Sequence, residues 1–397
     1  MRKGRQIKKT KKFFVAGALV VCFFGALILF FINSEKPVPH SNIIDTQISQ
    51  YSDKNITQNA ISTNLKFKDI AFDTLAPRAP SLFSNQIAAV ARAVRFFTKT
   101  PSGGTKEYGS WVWTPIMQMT PKYVESILTD AERDGVNVIY VSVDSYLDIF
   151  VMPKGEARER QKEIFGNILE DFIVRAKYKG IAVDAEAGWR NWAEGDNVYK
   201  AFAVVNYVKN FNVTRENKFR GFQYDIEPYL LDSYKEDPAS VLKNFVALVD
   251  STESYLTDSD LKFSVVVPDF YDEKDKMTPK FSYNGIKTYT FKHLLNILDR
   301  REGSSIIVMS YRNFAEGEDG AIEISANEMQ TAKRGAYKTK VIIAQETGDV
   351  PPPYITFYNT SKKYLSGEIQ KINGVFDSHP NFGGIAIHYV NTFLALK

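Results

Sequence analysis

This chain is poor in the side chains that most often carry metals or redox chemistry. It has one cysteine and four histidines in 397 residues. Cys22 lies inside an uncharged run, so the rest of the chain has no disulfide and no thiol chemistry. That part must be held by its core alone, which its size permits. No His-x-His or His-Glu-x-x-His spacing occurs, which argues against zinc hydrolysis. No glycine-rich phosphate loop follows an early strand-like run, which argues against a doubly wound nucleotide-binding sheet. Positive charge is also scarce once the start is set aside. The first twelve residues, MRKGRQIKKTKK, hold seven Lys or Arg; the remainder has 43 basic against 46 acidic residues. The net charge of +4 thus hides a balance of −3, and no basic footprint for nucleic acid remains. No cofactor and no metal are expected.

What the chain does have begins behind that basic tail. Residues 13–32, FFVAGALVVCFFGALILFFI, are 20 residues without a charge, long enough to span a bilayer. The flanking positive charges place residues 1–12 in the cytoplasm and everything after the span outside it. A cleaved signal peptide is the rival reading, but "FFINSEKP" offers no small-x-small cleavage site. The expectation is a single-pass cell-membrane protein with an uncleaved transmembrane helix. Residues 33–105 then form a stalk or linker, polar and interrupted by "KPVPH" and "LAPRAP", with a candidate helix at 84–97.

Residues 106–397 have a regular pattern. Strand-like runs occur at 111–116, 137–144, 180–186, 219–227, 262–270, 305–312, 340–346 and 383–390. Stretches of helical period separate them, with "TPK" at 120 and "DPAS" at 237 as start signals. Eight strands alternating with helices predict an α/β fold, a (β/α)8 TIM barrel. No helix is expected after the last strand; the 84–97 segment is the candidate to fill that gap.

The alternation of strand side chains then sorts the residues. In 219–227, Phe222, Tyr224 and Ile226 share one face, while Gln223, Asp225 and Glu227 share the other. The polar face is assigned to the barrel interior, with Glu227 nearest the C-terminal mouth, where active sites of this fold lie. Other strands end similarly, in Asp144, in Asp184 and Glu186, in Asp269 and in Glu346. An acid after a strand also serves as a helix cap. For Asp225 and Glu227 that reading is weaker, because "EPYLL" intervenes before any helix. Clustered carboxylates suit glycoside hydrolysis, which needs a protonated acid and an ionised partner, or a divalent-cation site. Trp111 and Trp113 on the first strand, and Trp189 and Trp192 after the third, are candidate platforms for a sugar ring.

These residues carry a resemblance. "FQYDIE" resembles the fourth-strand signature of glycoside hydrolase family 18, which ends in Asp-x-Glu, and "MSYR" at 309–312 resembles that family's Met-x-Tyr-Asp. The barrel as a whole is similar to bacterial surface proteins related to TIM-barrel glycosidases. The resemblance implies that Glu227 is the general acid, that Asp225 orients an N-acetyl group and that Tyr311 bonds it. Gln223, Arg312 and His388 replace the expected Asp, Asp and Trp. A second glycosidase pattern pairs an acid on the fourth strand with one on the seventh, here Glu227 and Glu346, the latter as nucleophile. The expected activity is hydrolysis of a surface or environmental polysaccharide. The alternatives are an inactive barrel that binds glycan or a protein partner, and a cation-dependent lyase or phosphodiesterase.

Overall fold

The computed structural model describes residues 106–272 and 278–397. The expected cytoplasmic tail, membrane span, linker and 84–97 helix lie outside the described residues. Among the described residues no helix is long and apolar enough to cross a membrane.

Eight parallel strands close into a barrel. They are β1 (Glu107–Val112), β2 (Val138–Ser142), β3 (Ala182–Ala187), β4 (Gly221–Tyr224), β5 (Lys262–Pro268), β8 (Ser305–Met309), β9 (Lys340–Glu346) and β10 (Phe382–His388). The intervening β6 (Phe281–Tyr283) and β7 (Ile286–Thr288) form a separate antiparallel hairpin. Round the barrel the order is β1-β10-β9-β8-β5-β4-β3-β2. β4 and β10 therefore stand opposite each other, four strands apart in either direction.

The alternation of side chains builds two layers. Trp111, Tyr140, Val266, Ile307, Ile342 and Ala386 fill the interior. Phe222, Tyr224, Phe263 and Val265 point outward, against helix residues such as Phe165, Phe202 and Phe245. Each such fully buried side chain is worth about 1.5–3 kcal/mol, and this layer fastens helices to strands. Two helix starts follow their sequence signals: Thr120 accepts from the Tyr123 N–H at 3.2 Å ahead of Pro121, and Asp237 accepts from that of Ser240 at 3.0 Å ahead of Pro238.

Two differences from the sequence reading bear on the site. The first strand is 107–112, not 111–116. Proline at 115 has no N–H for a ladder, and Ile116–Gln118 coils into a 3₁₀ turn. Trp111 is thereby drawn into the barrel. A helix does follow the last strand, at Val390–Ala395, and its Phe393 ring meets Tyr108 of β1 edge-on at 6.2 Å.

Candidate active site

The inward acids divide between two ends of the barrel. At the floor, Arg220 grips Asp184 with two hydrogen bonds, of 2.8 and 2.6 Å, and reaches Glu107 at 2.8 Å. Tyr140 donates to the other Glu107 oxygen at 3.1 Å. Asp184 was expected at the mouth. It instead lies level with Gly221, the first residue of β4, and is one strand repeat below Glu186. Its partner is a guanidinium, which matches its charge at the floor, away from the mouth.

Above the floor sits a neutral polar layer. The Trp111 indole donates to Gln223 at 2.7 Å, and Gln223 donates to Ser264 at 3.3 Å. Trp111 and Gln223 are completely buried, so both support the mouth from beneath and neither offers a surface to a sugar. Trp192 also departs from expectation. It is buried in the outer layer between strands and helices.

One wall of the mouth is acidic. Asp144 follows β2, Glu186 is on β3, and Asp225 and Glu227 follow β4. Burial pushes Asp144 up to about 8; the Gly188 N–H, donating at 3.2 Å, opposes that, and the charge of Asp225 adds to it. Burial, then the charge of Glu227, pushes Asp225 up to about 7, against the pull of His388. Glu186 is held well above the usual carboxylate range by burial and by Asp144 and Asp225. One oxygen each of Glu186 and Asp225 is buried without a hydrogen-bond partner in the protein. Such oxygens are tolerated where a proton is shared or a ligand arrives. Glu227 is also raised by burial, but the Tyr229 hydroxyl that donates to it, His388 and Arg190 all restrain the rise.

Gly188 sets the spacing of this wall. A β-carbon there would sit 1.9 Å from the carbonyl oxygen of Asp225. Its own N–H holds Asp144. The turn after β3 thus touches the acids of β2 and β4 at once.

The facing wall is built on β8, β9 and β10. Glu346 accepts from the N–H groups of Thr347 (2.8 Å) and Gly348 (2.5 Å) on one oxygen and lies 2.7 Å from His388 Nδ1 on the other. Trp113 donates to His388 Nε2 at 3.0 Å. Tyr311 is half-buried, and its hydroxyl stays protonated far into alkali because of burial and the nearby charges of Glu346, Asp225 and Glu227. Arg312 turns to the rim. It donates to the Tyr311 carbonyl at 2.8 Å and to Asp319 at 2.7 Å, feels the charge of Asp269, and lies over the Tyr354 ring. Trp189 is 43% exposed, with Arg190 over its ring, and is the most exposed of the expected tryptophans.

The mouth therefore brings together Asp144, Glu186, Asp225, Glu227, Tyr311, Glu346, His388 and Trp113. Tyr229, Gly188 and Arg190 were not anticipated. Tyr229 and Arg190 sit within two residues of anticipated positions, in "IEPY" and "GWRNW". Among the described residues no group of three or more His, Cys, Asp or Glu side chains is arranged to hold a metal ion. The arrangement can hold protons at neutral pH, donate one from Glu227 and hydrogen-bond an incoming polar group from Tyr311.

No family model matches the chain, and no curated protein is similar to it. Solved structures that it resembles include an endo-β-1,4-mannanase from Thermotoga petrophila, with 14% identity over 73% of this chain and 69% of that one at TM-score 0.47. The spore cortex-lytic enzyme SleL of Bacillus megaterium is 12% identical over 75% of each chain, at TM-score 0.43. The PgaB (BpsB) glycoside hydrolase domain of Bordetella bronchiseptica is 10% identical over 73% of this chain and 96% of that one, at TM-score 0.43. At these identities the likeness is one of barrel shape. The family-18 resemblance rests on its short motifs alone.

Proposed function

We propose that this chain is a glycoside hydrolase that cleaves a polysaccharide at the barrel mouth, with Glu227 as the proton donor. The observation that carries the reading is the acidic wall. Burial and neighbouring carboxylates raise the pKa values of Asp144, Glu186 and Asp225, burial raises that of Glu227, and Asp225 and Glu227 bear electrostatically on Tyr311 and His388. Glu186 is too deeply buried to reach a substrate, and Asp144 is tied to Gly188. Glu227 combines a raised pKa with restraint from Tyr229, Arg190 and His388, which suits a group that must give up its proton and recover it. Asp225 and Tyr311 are the partners for a polar group on the sugar, and Trp189 is the stacking platform.

Glu346 fits a nucleophile poorly, since its two oxygens already meet three donors. The site is further proposed to work outside the cytoplasm on a chain tethered by residues 13–32, a reading supported by the uncharged run and the basic residues before it.

The test is Glu227→Gln, assayed on gluco-, manno- and N-acetylglucosamine oligosaccharides. A positioned acid contributes roughly 10²–10⁴-fold, so kcat falls by that order while the thermal melt is unchanged. Aryl glycosides with good leaving groups lose least. Wild-type turnover by Glu227→Gln sinks the reading. A wild type that binds these sugars but cleaves none makes the barrel a binding module. Loss of activity on chelation, restored by Mg²⁺ or Ca²⁺, moves it to cation-dependent chemistry.

A further inference from the structure

The wall opposite Glu227 holds a carboxylate, an imidazole and an indole in series. His388 ends β10 and Glu227 follows β4, and these two strands stand opposite each other in the closed barrel. The two members of the carboxylate–imidazole pair are not equally accessible. The Glu346 side chain is 4% exposed and saturated with donors, whereas that of His388 is 26% exposed. The group that reaches the mouth is therefore the imidazole.

Its hydrogen bonds fix its protonation. Trp113 has only an N–H to give, so His388 Nε2 receives it on a bare lone pair. The ring proton is then on Nδ1, directed at Glu346. This is the arrangement of a base held ready by an anion, with its accepting atom covered by the Trp113 indole. The Tyr311 ring lies 6.3 Å from the imidazole, centre to centre, and the Trp111 ring 5.8 Å, which hold its plane.

We propose that His388, oriented by Glu346, is the catalytic base that pairs with Glu227, and that the Trp113 indole covers its Nε2 until substrate and water replace it. This rests on the glycoside hydrolase reading. The water oxygen bonds to the anomeric carbon as the glycosidic C–O bond breaks. The departing oxygen takes the proton of Glu227, and the water gives a proton to His388 Nε2. The imidazolium faces Glu346. It returns its proton to solvent, Glu227 takes one back, and one water is consumed. Acid and base on opposite faces of the sugar give a product of inverted configuration.

The charged groups around His388 are Glu346 on β9 and Asp225 and Glu227 after β4. Burial lowers its pKa, but the Glu346 carboxylate beside it, with further contributions from Asp225 and Glu227 when they are ionised, outweighs burial and raises it above the ordinary imidazole value. In the free enzyme, protonation must displace the Trp113 N–H.

The experiment has three arms. NMR of the first product, from whichever test oligosaccharide is cut fastest, is expected to show inversion. His388→Gln is expected to lower kcat roughly 10²–10⁴-fold with KM little changed and to abolish the acid limb of the pH–rate profile. Glu346→Gln, which removes the anion but keeps the shape, moves that limb to lower pH. The third arm needs no turnover: ¹⁵N NMR of the imidazole is expected to report a proton on Nδ1 and none on Nε2, and Trp113 fluorescence to titrate with His388. Retention of configuration, a sugar adduct trapped on Glu346, or a proton on Nε2 overturns the assignment. If Glu227→Gln abolishes cleavage while the product is retained, the base assignment alone fails. If the wild type cleaves none of the oligosaccharides, both readings fail.

Discussion

At the barrel floor, Asp184 and Glu107 share the guanidinium of Arg220. At the mouth, Asp144, Glu186 and Asp225 are crowded together, and among the described residues none of the three forms an ion pair. Both sets project inward from the same sheet. The difference shows what burial does to a carboxylate. With a cation in contact, the charge survives and locks strands together. Without one, the group keeps its proton, and the proton becomes available for chemistry.

The largest expected break in this contrast is at the floor. Arg220→Met leaves the buried Asp184 and the partly buried Glu107 carboxylates unmatched, which costs about 3–5 kcal/mol. The urea midpoint is expected to fall sharply, with turnover per folded molecule preserved. Adding Asp184→Asn is expected to recover part of the loss. An unchanged midpoint for Arg220→Met means the floor pair contributes nothing.

At the mouth the corresponding change has the opposite sign. Asp144 has an ordinary pKa of 3.8 and a folded value of about 8. Below both values, folded and unfolded chains hold the proton alike. Between them the folded state holds a proton that the unfolded chain has released, so this group's stabilising contribution is lost as pH rises through about 8. Asp144→Asn stays neutral throughout. Its melting temperature is expected to exceed that of the wild type by more above pH ~8 than below pH ~4. An equal difference at both ends means that Asp144 is ionised in the fold.

The smallest effect concerns the rim. Trp189→Ala removes an exposed platform worth about 0.5–1.5 kcal/mol, so KM is expected to rise by roughly 2- to 10-fold with kcat and melting temperature held. The buried neighbour behaves differently: Trp192→Ala costs about 3–5 kcal/mol of stability. If the two variants match in a thermal melt, the distinction between rim and core at this turn is wrong.

Periodicity shows the strand count and which face of 219–227 turns inward, because one register slip would send Phe222 and Tyr224 into the barrel. Depth along the barrel axis is not encoded that way. Asp184 and Glu186 differ by one strand repeat and look alike in "VDAE". Only the lateral stagger of β3 against β4, and the cation of Arg220, send one to the floor. The depth of Trp111 is hidden for the same reason: the apolar "WVW" points to a later start, whereas the polar half of β1, with Glu107, is the half that meets Arg220. The β6–β7 hairpin had a readable signal in "YNGI". Asn284 and Gly285 have φ of 47° and 78°, the left-handed pair that such a two-residue turn requires. The Glu346–His388–Trp113 series joins the ends of β9 and β10 to the residue after β1, far away in sequence, and no local pattern announces it.

Gly188 carries a consequence for anyone who would move this mouth to another scaffold. The distance between its acidic strands is gauged by a missing atom. Every other amino acid places a carbon 1.9 Å from the Asp225 carbonyl oxygen, inside any permitted contact, so the two turns would have to part. Screening at this position should return glycine alone. A graft that copies the carboxylates but not this vacancy will reproduce the functional groups at the wrong separation.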